Sequence, residues 1–506
     1  MDRRDPHAIR KVVIVGGGTA GWMTAAAMTR LAEAGLSVTL VESEEIGTVG
    51  VGEATIPSLL DFNRMLGIDE NAFVRATQAT FKLGIQFRNW GRIGDTYLHP
   101  FGIHGKDAQG VSFHQLWLRQ RSIGSDSGPI EDYCLSAVAA RLGRFTRPVE
   151  NPAAVLSTLS YAFHFDAALY AAFLRDYAEE GGVRRVEGRV VAVEREADSG
   201  FVAGVTLADG RRLDGDLFVD CSGFRALLLG DELGVPFTSW QHWLPCDRAW
   251  AVPSPRVATM PPYTRATAGR GGWRWRIPLQ HRTGNGHVYS SAHLGDDDAL
   301  RELLDGLEGE PLAEPRQLRF VAGRRDRLWD RNCVAIGLAG GFLEPLESTS
   351  IHLIQAGITR LMSLFPDRSF DPVEIAEYNR QMLREYEQVR NFIILHYHAT
   401  ARSDSSFWDH CRTMDVPSSL QDKIALWSGK ARLFREAGEL FTPDSWIAVL
   451  LGQHVQPASF DPLAGALPAE GSARFMDHLR GIIASTAAAM PTHAQFIDRE
   501  CAAASR

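Results

Sequence analysis

The first forty residues carry the clearest pattern of hydrophobic and polar positions. A β-branched run at 12–15 is followed by a glycine cluster, by alanine, methionine and leucine at helical spacing over 19–34, and by an apolar run at 38–41. Short apolar runs bounded by turn residues are typical of strands buried on both faces. The pattern predicts a βαβ unit at the start of the chain.

The middle of the chain alternates strand-like and helix-like patterns. Residues 163–180 predict a second helix, and residues 186–219 predict short strands divided by glycine-bearing turns, which we expect to form a meander. Residues 334–337 predict a buried strand that leads through a glycine-rich turn into a helix over 351–365.

The last third of the chain is mainly helical in pattern. Asp371 as N-cap and Pro372 at the first helical position predict the start of a long helix with one apolar stripe. Residues 418–488 are helical in composition with proline breaks. Because neither a repeat nor a long linker divides the chain, we expect an interleaved body over 1–365 and a mainly helical region over 366–506 that packs on it and covers the substrate site.

Composition and charge limit the function classes. The 506 residues are 45% hydrophobic and 23% charged, and 53 basic residues against 61 acidic ones give a formal net charge of −8. Nucleic acids and anionic membranes require concentrated positive charge, so neither is an expected partner. Six scattered cysteines without a CxxC pair favour a reducing compartment and predict neither a disulfide framework nor a metal site.

The N-terminal segment loosely mimics a secretory signal, since basic residues over 1–11 precede a largely apolar stretch. Three consecutive glycines, Gly16 to Gly18, would make a poor signal core, and no run reaches the ~18 apolar residues of a membrane span. We therefore expect a soluble, cytoplasmic protein.

The glycine cluster has the spacing of a dinucleotide fingerprint, Gly16-x-Gly18-x-x-Gly21, with Glu42 at the end of the next strand. Glycines let the backbone approach a pyrophosphate, the helix N-terminus offers amide donors, and the acid accepts from ribose hydroxyls. The sequence predicts a dinucleotide site.

Two further turns, at 216–223 and 337–341, favour the long FAD molecule over NAD. Together the three segments resemble the flavoprotein hydroxylases and their relatives. The predicted fold class is α/β, with a GR2-like (flavoprotein hydroxylase-type) FAD-binding body, a Rossmann-like βαβ unit, an additional β-sheet and a helical C-terminal substrate region. No second complete fingerprint is present, so reduced flavin is expected from a separate flavin reductase, bound transiently or reached by diffusion.

Three more motifs narrow the resemblance. They are the glycine-bearing loop 50–57 followed by Lys82, the sequence Trp-x-Trp-x-Ile-Pro at 273–278, and the segment 342–350. With these motifs the chain resembles the flavin-dependent halogenases of the tryptophan-halogenase family, from the first strand to at least residue 395. The resemblance implies an oxidoreductase whose FAD is held by Gly16, Gly18, Thr19, Ala20, Gly21, Glu42, Gly50, Gly52, Glu53, Ala54, Gly337 and Leu346.

In that family reduced FAD, oxygen and halide yield hypohalous acid, which reaches an essential lysine beside the substrate. The resemblance assigns that role to Lys82. An ammonium can polarise hypohalous acid and a neutral amine can form a haloamine, and burial would shift the balance between the two. Without the motif, Lys82 is an ordinary surface charge.

Glu347 matches the family's partner carboxylate, which can stabilise the cationic ring intermediate of electrophilic halogenation and then deprotonate it. The alternative is that residues 347–349 only cap the following helix. The resemblance also places the halide, chloride or bromide, near the backbone of Thr349 and Ser350. Trp273, Trp275, Ile277 and Pro278 are either core residues or line the route between flavin and substrate; we expect a structural role with gating.

The predicted substrate pocket departs from the family pattern. His99 and Phe101 match residues that stack on or flank an indole ring in tryptophan halogenases, and Trp446 lies in the matching C-terminal segment. That segment lacks the family's tyrosine pair, and Gln453 stands where an acid is expected. The predicted substrate is therefore a small aromatic molecule, indole or another electron-rich arene, rather than free tryptophan.

Two other functions share the same cofactor site. One is a flavin-dependent aromatic monooxygenase that inserts a hydroxyl group; the other is a degenerate, non-catalytic flavoprotein. Hydroxylation does not need Lys82, and a degenerate protein would have lost Lys82 or Glu347, so a halogenase is favoured. No metal is expected, although His396 and His398 lie two apart on the long helix. A homodimer, the halide preferred and the position halogenated are left open.

Overall fold

The structure is a computed structural model that describes residues 6–45 and 52–504, without the side chains of 32–34. The strands are β1 (Lys11–Val15), β2 (Ser37–Glu42), β3 (Gly52–Ala54), β4 (Thr80–Lys82), β5 (Gly84–Arg88), β6 (Thr96–Pro100), β7 (Ala162–Asp166), β8 (Arg184–Glu187), β9 (Val190–Arg195), β10 (Val202–Leu207), β11 (Arg212–Asp214), β12 (Leu217–Asp220), β13 (Phe237–Ser239), β14 (Arg248–Pro255), β15 (Thr264–Ala268), β16 (Gly272–Pro278), β17 (Arg282–Tyr289), β18 (Arg316–Arg319), β19 (Gly323–Arg325), β20 (Trp329–Asp330), β21 (Cys333–Ala335) and β22 (Gly341–Phe342).

The helices are α1 (Thr19–Met28), α2 (Ser58–Leu66), α3 (Glu70–Ala76), α4 (Phe113–Ser122), α5 (Leu135–Arg141), α6 (Ala167–Glu180), α7 (Asp296–Asp305), α8 (Ser350–Ser363), α9 (Pro372–His398), α10 (Ser406–Thr413), α11 (Ser418–Lys430), α12 (Pro443–Gly452), α13 (Pro462–Ala466), α14 (Ala469–Ala489) and α15 (His493–Glu500). Two compact units are interleaved along the chain. The first unit is Met1–Gln78, Phe165–His242 and Arg319–Glu387, and the second is Ala79–His164, Trp243–Leu318 and Gln388–Arg506.

A six-stranded sheet forms the centre of the first unit, in the order β20-β21-β12-β1-β2-β8. All neighbouring pairs run parallel except β20 with β21. Strands β1 and β12 are almost fully buried apart from Lys11, as expected when helices cover both faces of a parallel sheet. The predicted α/β body with its Rossmann-like βαβ unit is confirmed.

The region predicted as a meander is divided between two sheets. Strands β9, β10 and β11 form a three-stranded antiparallel sheet, whereas β8 and β12 belong to opposite sides of the parallel sheet. The predicted helix over 163–180 was wrong at its start, because β7 occupies Ala162–Asp166 and α6 begins only at Ala167. The Asp166 carboxylate accepts from the backbone amides of Ala168 and Leu169 and so fixes that boundary.

A seven-stranded sheet dominates the second unit, in the order β18-β14-β17-β16-β15-β5-β6. Strands β5 and β15 pair in parallel, and the pairings of β15 with β16 and of β16 with β17 are antiparallel. Buried and half-buried positions alternate along β5, β15 and β16, so one face of these strands is apolar and the other polar.

The rest of the second unit is mainly helical, from the C-terminal part of α9 to α15. Among the described residues no helix combines the length and the apolar character that a membrane crossing requires. The six cysteines are buried free thiols.

Candidate active site

Three chain turns meet at one edge of the parallel sheet in the first unit. Strands β21, β12 and β1 are parallel neighbours, so the turns that follow their carboxyl ends share an edge. The Ile336 amide donates to the Asp220 carbonyl at 3.0 Å, and the Cys221 amide donates to the Val15 carbonyl at 2.9 Å. The three segments that the sequence proposed for FAD are therefore brought together.

Gly16 and Gly18 differ in what surrounds them. Gly16 has φ +115°, and a Cβ there would lie 2.2 Å from the Cys221 carbonyl oxygen, so the turn needs glycine for its own geometry. Gly18 has φ −74° as the N-cap of α1, and a Cβ there would meet no atom within 4 Å. The fold alone does not require Gly18, and the open space above it leaves room for a ligand to approach the backbone.

Thr19, Ala20 and Gly21 form the first turn of α1, which has no acidic residue and no side-chain cap at its start. The amides of this turn are available to an anion such as a pyrophosphate. Gly337 packs against this turn, because a Cβ at Gly337 would lie 2.9 Å from the Ala20 side chain.

Glu42 ends β2 beside the fingerprint. Its carboxylate accepts from Arg185 Nε at 2.5 Å and from Trp22 Nε1 at 3.3 Å, and its Oε2 lies where a Cβ of Gly17 would be. The acid is therefore held at the glycine turn in a fixed orientation.

Strand β3 carries three predicted cofactor residues. Gly52 and Ala54 are buried and Glu53 is half-buried. Burial raises the pKa of the Glu53 carboxyl to about 7. Gly50, predicted for the same role, lies outside the described residues.

The segment before α8 contains the predicted carboxylate and halide residues. Leu346 and Glu347 are buried in a 3₁₀ turn, and Ser348 follows with φ +59°. Thr349 is the N-cap and Ser350 the first residue of α8, but the Thr349 side chain makes no capping hydrogen bond. For Thr349, this argues against the alternative of a role only as a side-chain cap.

Thr349 has a polar atom suited to a ligand. Its side chain is fully buried, and its Oγ1 has no hydrogen-bond partner within the described parts of the chain. A buried hydroxyl without a partner costs free energy unless a ligand or water meets it.

Lys82, in the second unit, is the last residue of β4 and has 0% exposure. Its strand pairs with β7, with Lys82 opposite Ala162. The Thr80 hydroxyl donates to the Pro278 carbonyl at 2.7 Å, so the end of the Trp-x-Trp-x-Ile-Pro strand holds the start of the lysine strand. The structure therefore places Lys82 in the interior, not at the surface.

An aromatic ring and a histidine lie near Lys82. Its Nζ lies 5.1 Å from the centroid of the Phe101 ring, a cation–π distance. Burial, and then the charge of Lys82, lowers the pKa of His164 well below its usual value. Both ring nitrogens of His164 contact threonine hydroxyls, those of Thr80 and Thr264.

The predicted substrate residues His99 and Trp446 lie in one aromatic cluster. The ring of Phe392 lies 5.6 Å from His99, 5.0 Å from Trp446 and 3.8 Å from Phe441, with which it stacks. Sequence reasoning missed Phe392 and Phe441. The apolar stripe of the long helix contained the signal for Phe392, because that residue continues the spacing of Val389.

The carboxylates near this cluster are already engaged. Glu439 pairs with Lys423 at 2.6 Å and accepts from Trp446 Nε1 at 3.0 Å. Asp444 accepts from both the backbone amide and the ring of His104. Sequence reasoning did not single out either acid.

Gln453 is the residue that the sequence analysis expected in place of an acid of the family pattern. Its side chain is buried and donates to the His396 carbonyl at 3.0 Å. The amide therefore braces the end of α9 against the end of α12.

The Trp-x-Trp-x-Ile-Pro motif forms β16. Trp273 and Trp275 are buried on one face with ring centroids 6.1 Å apart, and neither indole nitrogen has a hydrogen-bond partner in the described structure. Ile277 and Pro278 are also buried. No group of three or more histidine, cysteine, aspartate or glutamate side chains among the described residues could hold a metal ion.

The sheet edge fits FAD. It offers an uncapped helix start, an open approach over Gly18 and an acid held beside the turn. The fold and this edge define a dinucleotide-binding protein with a Rossmann-like sheet, a class that includes the FAD-dependent flavoproteins.

Comparison with known proteins identifies the family. The family model for tryptophan halogenases matches residues 11–469. The tryptophan 6-halogenase SttH of Streptomyces toxytricini is 38% identical over 486 residues, which are 89% of this chain and 90% of that protein. The chain therefore belongs to the tryptophan halogenase family.

Solved structures agree. Xcc4156, a flavin-dependent halogenase from Xanthomonas campestris, is 49% identical with a TM-score of 0.95 and covers 99% of this chain and 100% of its own. BrvH, a flavin-dependent halogenase from Brevundimonas sp. BAL3, is 50% identical with a TM-score of 0.93, covering 97% of this chain and 99% of its own. The protein is a flavin-dependent halogenase, an enzyme that uses FAD and a halide, and the hydroxylase and non-catalytic alternatives are not favoured.

Proposed function

We propose that the enzyme halogenates indole or another electron-rich arene without an amino-acid group, and that Lys82 delivers the halogen. The observation that carries this proposal is the setting of Lys82, a fully buried lysine on a strand held by Pro278, with the Phe101 ring 5.1 Å from its ammonium. Burying a lysine side chain is costly, which favours a chemical role over a structural one.

FAD, held at the sheet edge and reduced by a separate reductase, would supply the electrons with which oxygen and halide become hypohalous acid and water. The Lys82 ammonium then donates a hydrogen bond to the oxygen of hypohalous acid. As an arene carbon bonds to the halogen, the halogen–oxygen bond breaks and the oxygen leaves as water with the lysine proton. The ring proton is lost last, to a carboxylate that we assign, from the resemblance, to Glu347.

The halide site is proposed at the start of α8. Support comes from the partnerless hydroxyl of buried Thr349 and from a helix start, at Ser350, that lacks a side-chain cap. Chloride and bromide both suit such a site. Trp273 and Trp275 are proposed to gate the passage of hypohalous acid, and their apolar surroundings suit a group that excludes water.

The preference for a neutral arene is supported by the engaged carboxylates. A free amino acid brings an ammonium group that needs an acceptor, but Glu439 is paired with Lys423 and Asp444 with His104. We further propose that region 366–506 covers the substrate, because it supplies Phe392 and Phe441, whose rings lie near His99, and Trp446, whose ring lies near Phe392.

The test is a mass-spectrometric product assay with FAD, NADH, a flavin reductase and either halide, given indole or tryptophan. We expect a higher turnover of indole than of tryptophan, with halogen isotope patterns and no product that is only hydroxylated. A higher turnover of tryptophan would contradict the proposed substrate class.

Lys82→Ala tests the delivery step, with Lys106→Ala, a change at an exposed lysine, as the matched control. We expect Lys82→Ala to lower arene halogenation at least about a hundredfold while flavin oxidation continues, so that hypohalous acid escapes to an added halogen trap. Regiospecific halogenation at the wild-type rate by Lys82→Ala would overturn the role of Lys82.

A further inference from the structure

Four arginines lie on the polar face of the seven-stranded sheet, opposite the tryptophan pair. They are Arg88 on β5, Arg265 on β15, and Arg274 and Arg276 on β16. Strand register places Arg265 directly beside Arg276, while Arg88 and Arg274 flank Thr267 on either side. Like charges directly opposite in neighbouring strands are destabilising, so this arrangement costs the fold stability.

Little negative charge compensates this cluster. Arg276 pairs at 2.5 Å with Glu308, whose side chain is 60% exposed, whereas neither Arg88 nor Arg265 makes an ion pair within the described residues. Partial burial, and then the charges of Arg265 and Arg276, lower the pKa of the Arg88 guanidinium. The positive charges therefore repel one another in a partly desolvated place.

The guanidinium groups are held in position before any ligand binds. Gln86 Oε1 accepts from the Nε atoms of both Arg88 and Arg265 at 3.0 Å. Gln86 therefore does not occupy the terminal nitrogens of either guanidinium group. Arg274 donates from Nη1 to the Glu302 carbonyl at 2.5 Å, and its buried Nε has no partner in the part of the chain that the structure describes.

A cavity of about 420 Å³ opens over these four side chains, with Thr96, Asn285 and Leu307 also in its wall. This volume suits a compact small molecule. Planar guanidinium groups bind phosphate and carboxylate oxygens in pairs.

We propose that this arginine cleft binds a small polyanion with two or more phosphate or carboxylate groups. Such a ligand would cancel the repulsion between Arg265 and Arg276 and contact Arg274 in the cavity wall. The arginine side chains lie on the face of β16 opposite the indole rings of Trp273 and Trp275, and Trp275 also borders the cavity.

The test is calorimetric titration and thermal unfolding with inorganic pyrophosphate and with citrate, compared with sodium chloride at equal ionic strength. We expect one or both polyanions to bind and to raise the melting temperature, and chloride to do neither. Tighter pyrophosphate binding would indicate a phosphorylated ligand, and tighter citrate binding a polycarboxylate. Absence of binding by both would overturn the proposal.

Arg265→Gln is the decisive variant, with Arg301→Gln, an exposed arginine of α7, as the control. We expect Arg265→Gln to weaken polyanion binding by at least about tenfold and Arg301→Gln to leave it unchanged. Because Arg265→Gln removes a like-charge pair, its ligand-free melting temperature should equal or exceed that of the wild type. Equal affinity in the two variants would refute the site.

Discussion

The imidazole of His493 accepts a hydrogen bond from the backbone amide of Phe81, at 3.0 Å, one residue before Lys82. Its other nitrogen donates to the Met260 carbonyl at 2.9 Å, so the ring must be neutral to serve both partners. Burial lowers the pKa of His493 to about 4. This histidine therefore positions the lysine strand only while it carries no charge.

Replacing His493 with alanine should lower the free energy of unfolding by about 1–3 kcal/mol at pH 8, because the Phe81 amide loses its acceptor. The pKa of His493 is lower in the folded chain than in the unfolded one, so its contribution is complete above pH 6.5 and is lost as pH falls towards 4. The difference between wild type and His493→Ala in urea unfolding should shrink over that range. His478→Ala, a change at an exposed histidine, should alter neither quantity, and a constant difference between pH 8 and pH 4 would contradict this role.

Alanine substitutions at Gly16 and Gly18 should separate folding from FAD binding. Gly18→Ala should leave the unfolding free energy of the FAD-free protein within about 0.5 kcal/mol of wild type, because nothing lies within 4 Å of the new Cβ. FAD affinity should nevertheless fall at least about tenfold, since the methyl group occupies the pyrophosphate approach. A fluorescence titration with FAD measures the affinity.

Gly16→Ala should instead destabilise the FAD-free protein by at least about 2 kcal/mol, because the new Cβ would clash with the Cys221 carbonyl at a φ of +115°. Unchanged FAD affinity in Gly18→Ala would show that the cofactor does not approach this residue.

Glu53 should make stability fall as pH rises. Its pKa is about 7 in the folded chain against 4.5 without burial, so the carboxyl ionises at lower pH in the unfolded chain than in the folded one. Between pH 4.5 and 7 a rising pH therefore favours the unfolded state increasingly. Glu53→Gln cannot ionise at this position. Its free energy of unfolding should therefore rise relative to that of the wild type between pH 4.5 and 7, by up to about 3 kcal/mol. Urea unfolding at pH 5 and pH 8 tests this against Glu180→Gln, a change at an exposed site; parallel pH curves for wild type and Glu53→Gln would refute it.

Truncating the stack of Phe392 and Phe441 should disturb substrate placement. Phe441→Ala removes a ring whose centroid lies 3.8 Å from that of Phe392, and we expect a loss of about 3 kcal/mol in stability. The KM for indole should rise and the product should become a mixture of positional isomers, as chromatography of the products would reveal. Phe434→Ala, a change at an exposed ring, should have neither effect; a single isomer at unchanged KM from Phe441→Ala would place the substrate elsewhere.

Local pattern predicted the parts of the fold that local forces determine. The unit from Lys11 to Glu42 was predictable because buried parallel strands and a glycine turn each have their own signal. Residues 163–166 were misassigned to a helix because the apolar run before α6 fits either structure, and pairing with strands distant in sequence, such as β4, makes it a strand. The division of the expected meander between two sheets follows from long-range pairing, which short windows do not contain.

The candidate site shows the same limit. Motifs indicated Lys82 and Trp446, but nothing local shows that Glu439 is paired with Lys423 or that Phe441 stacks on Phe392. Those contacts join segments many residues apart, so they depend on how the helices pack.

The alternation along β16 limits how its length can change. Deleting one residue between Gly272 and Pro278 would shift the strand by one position and turn guanidinium groups into an apolar interior while exposing indole rings to solvent. Substitutions in this segment can be absorbed one side chain at a time, whereas an insertion or deletion would invert both surfaces at once. Variation in its sequence is therefore far more tolerable than variation in its length.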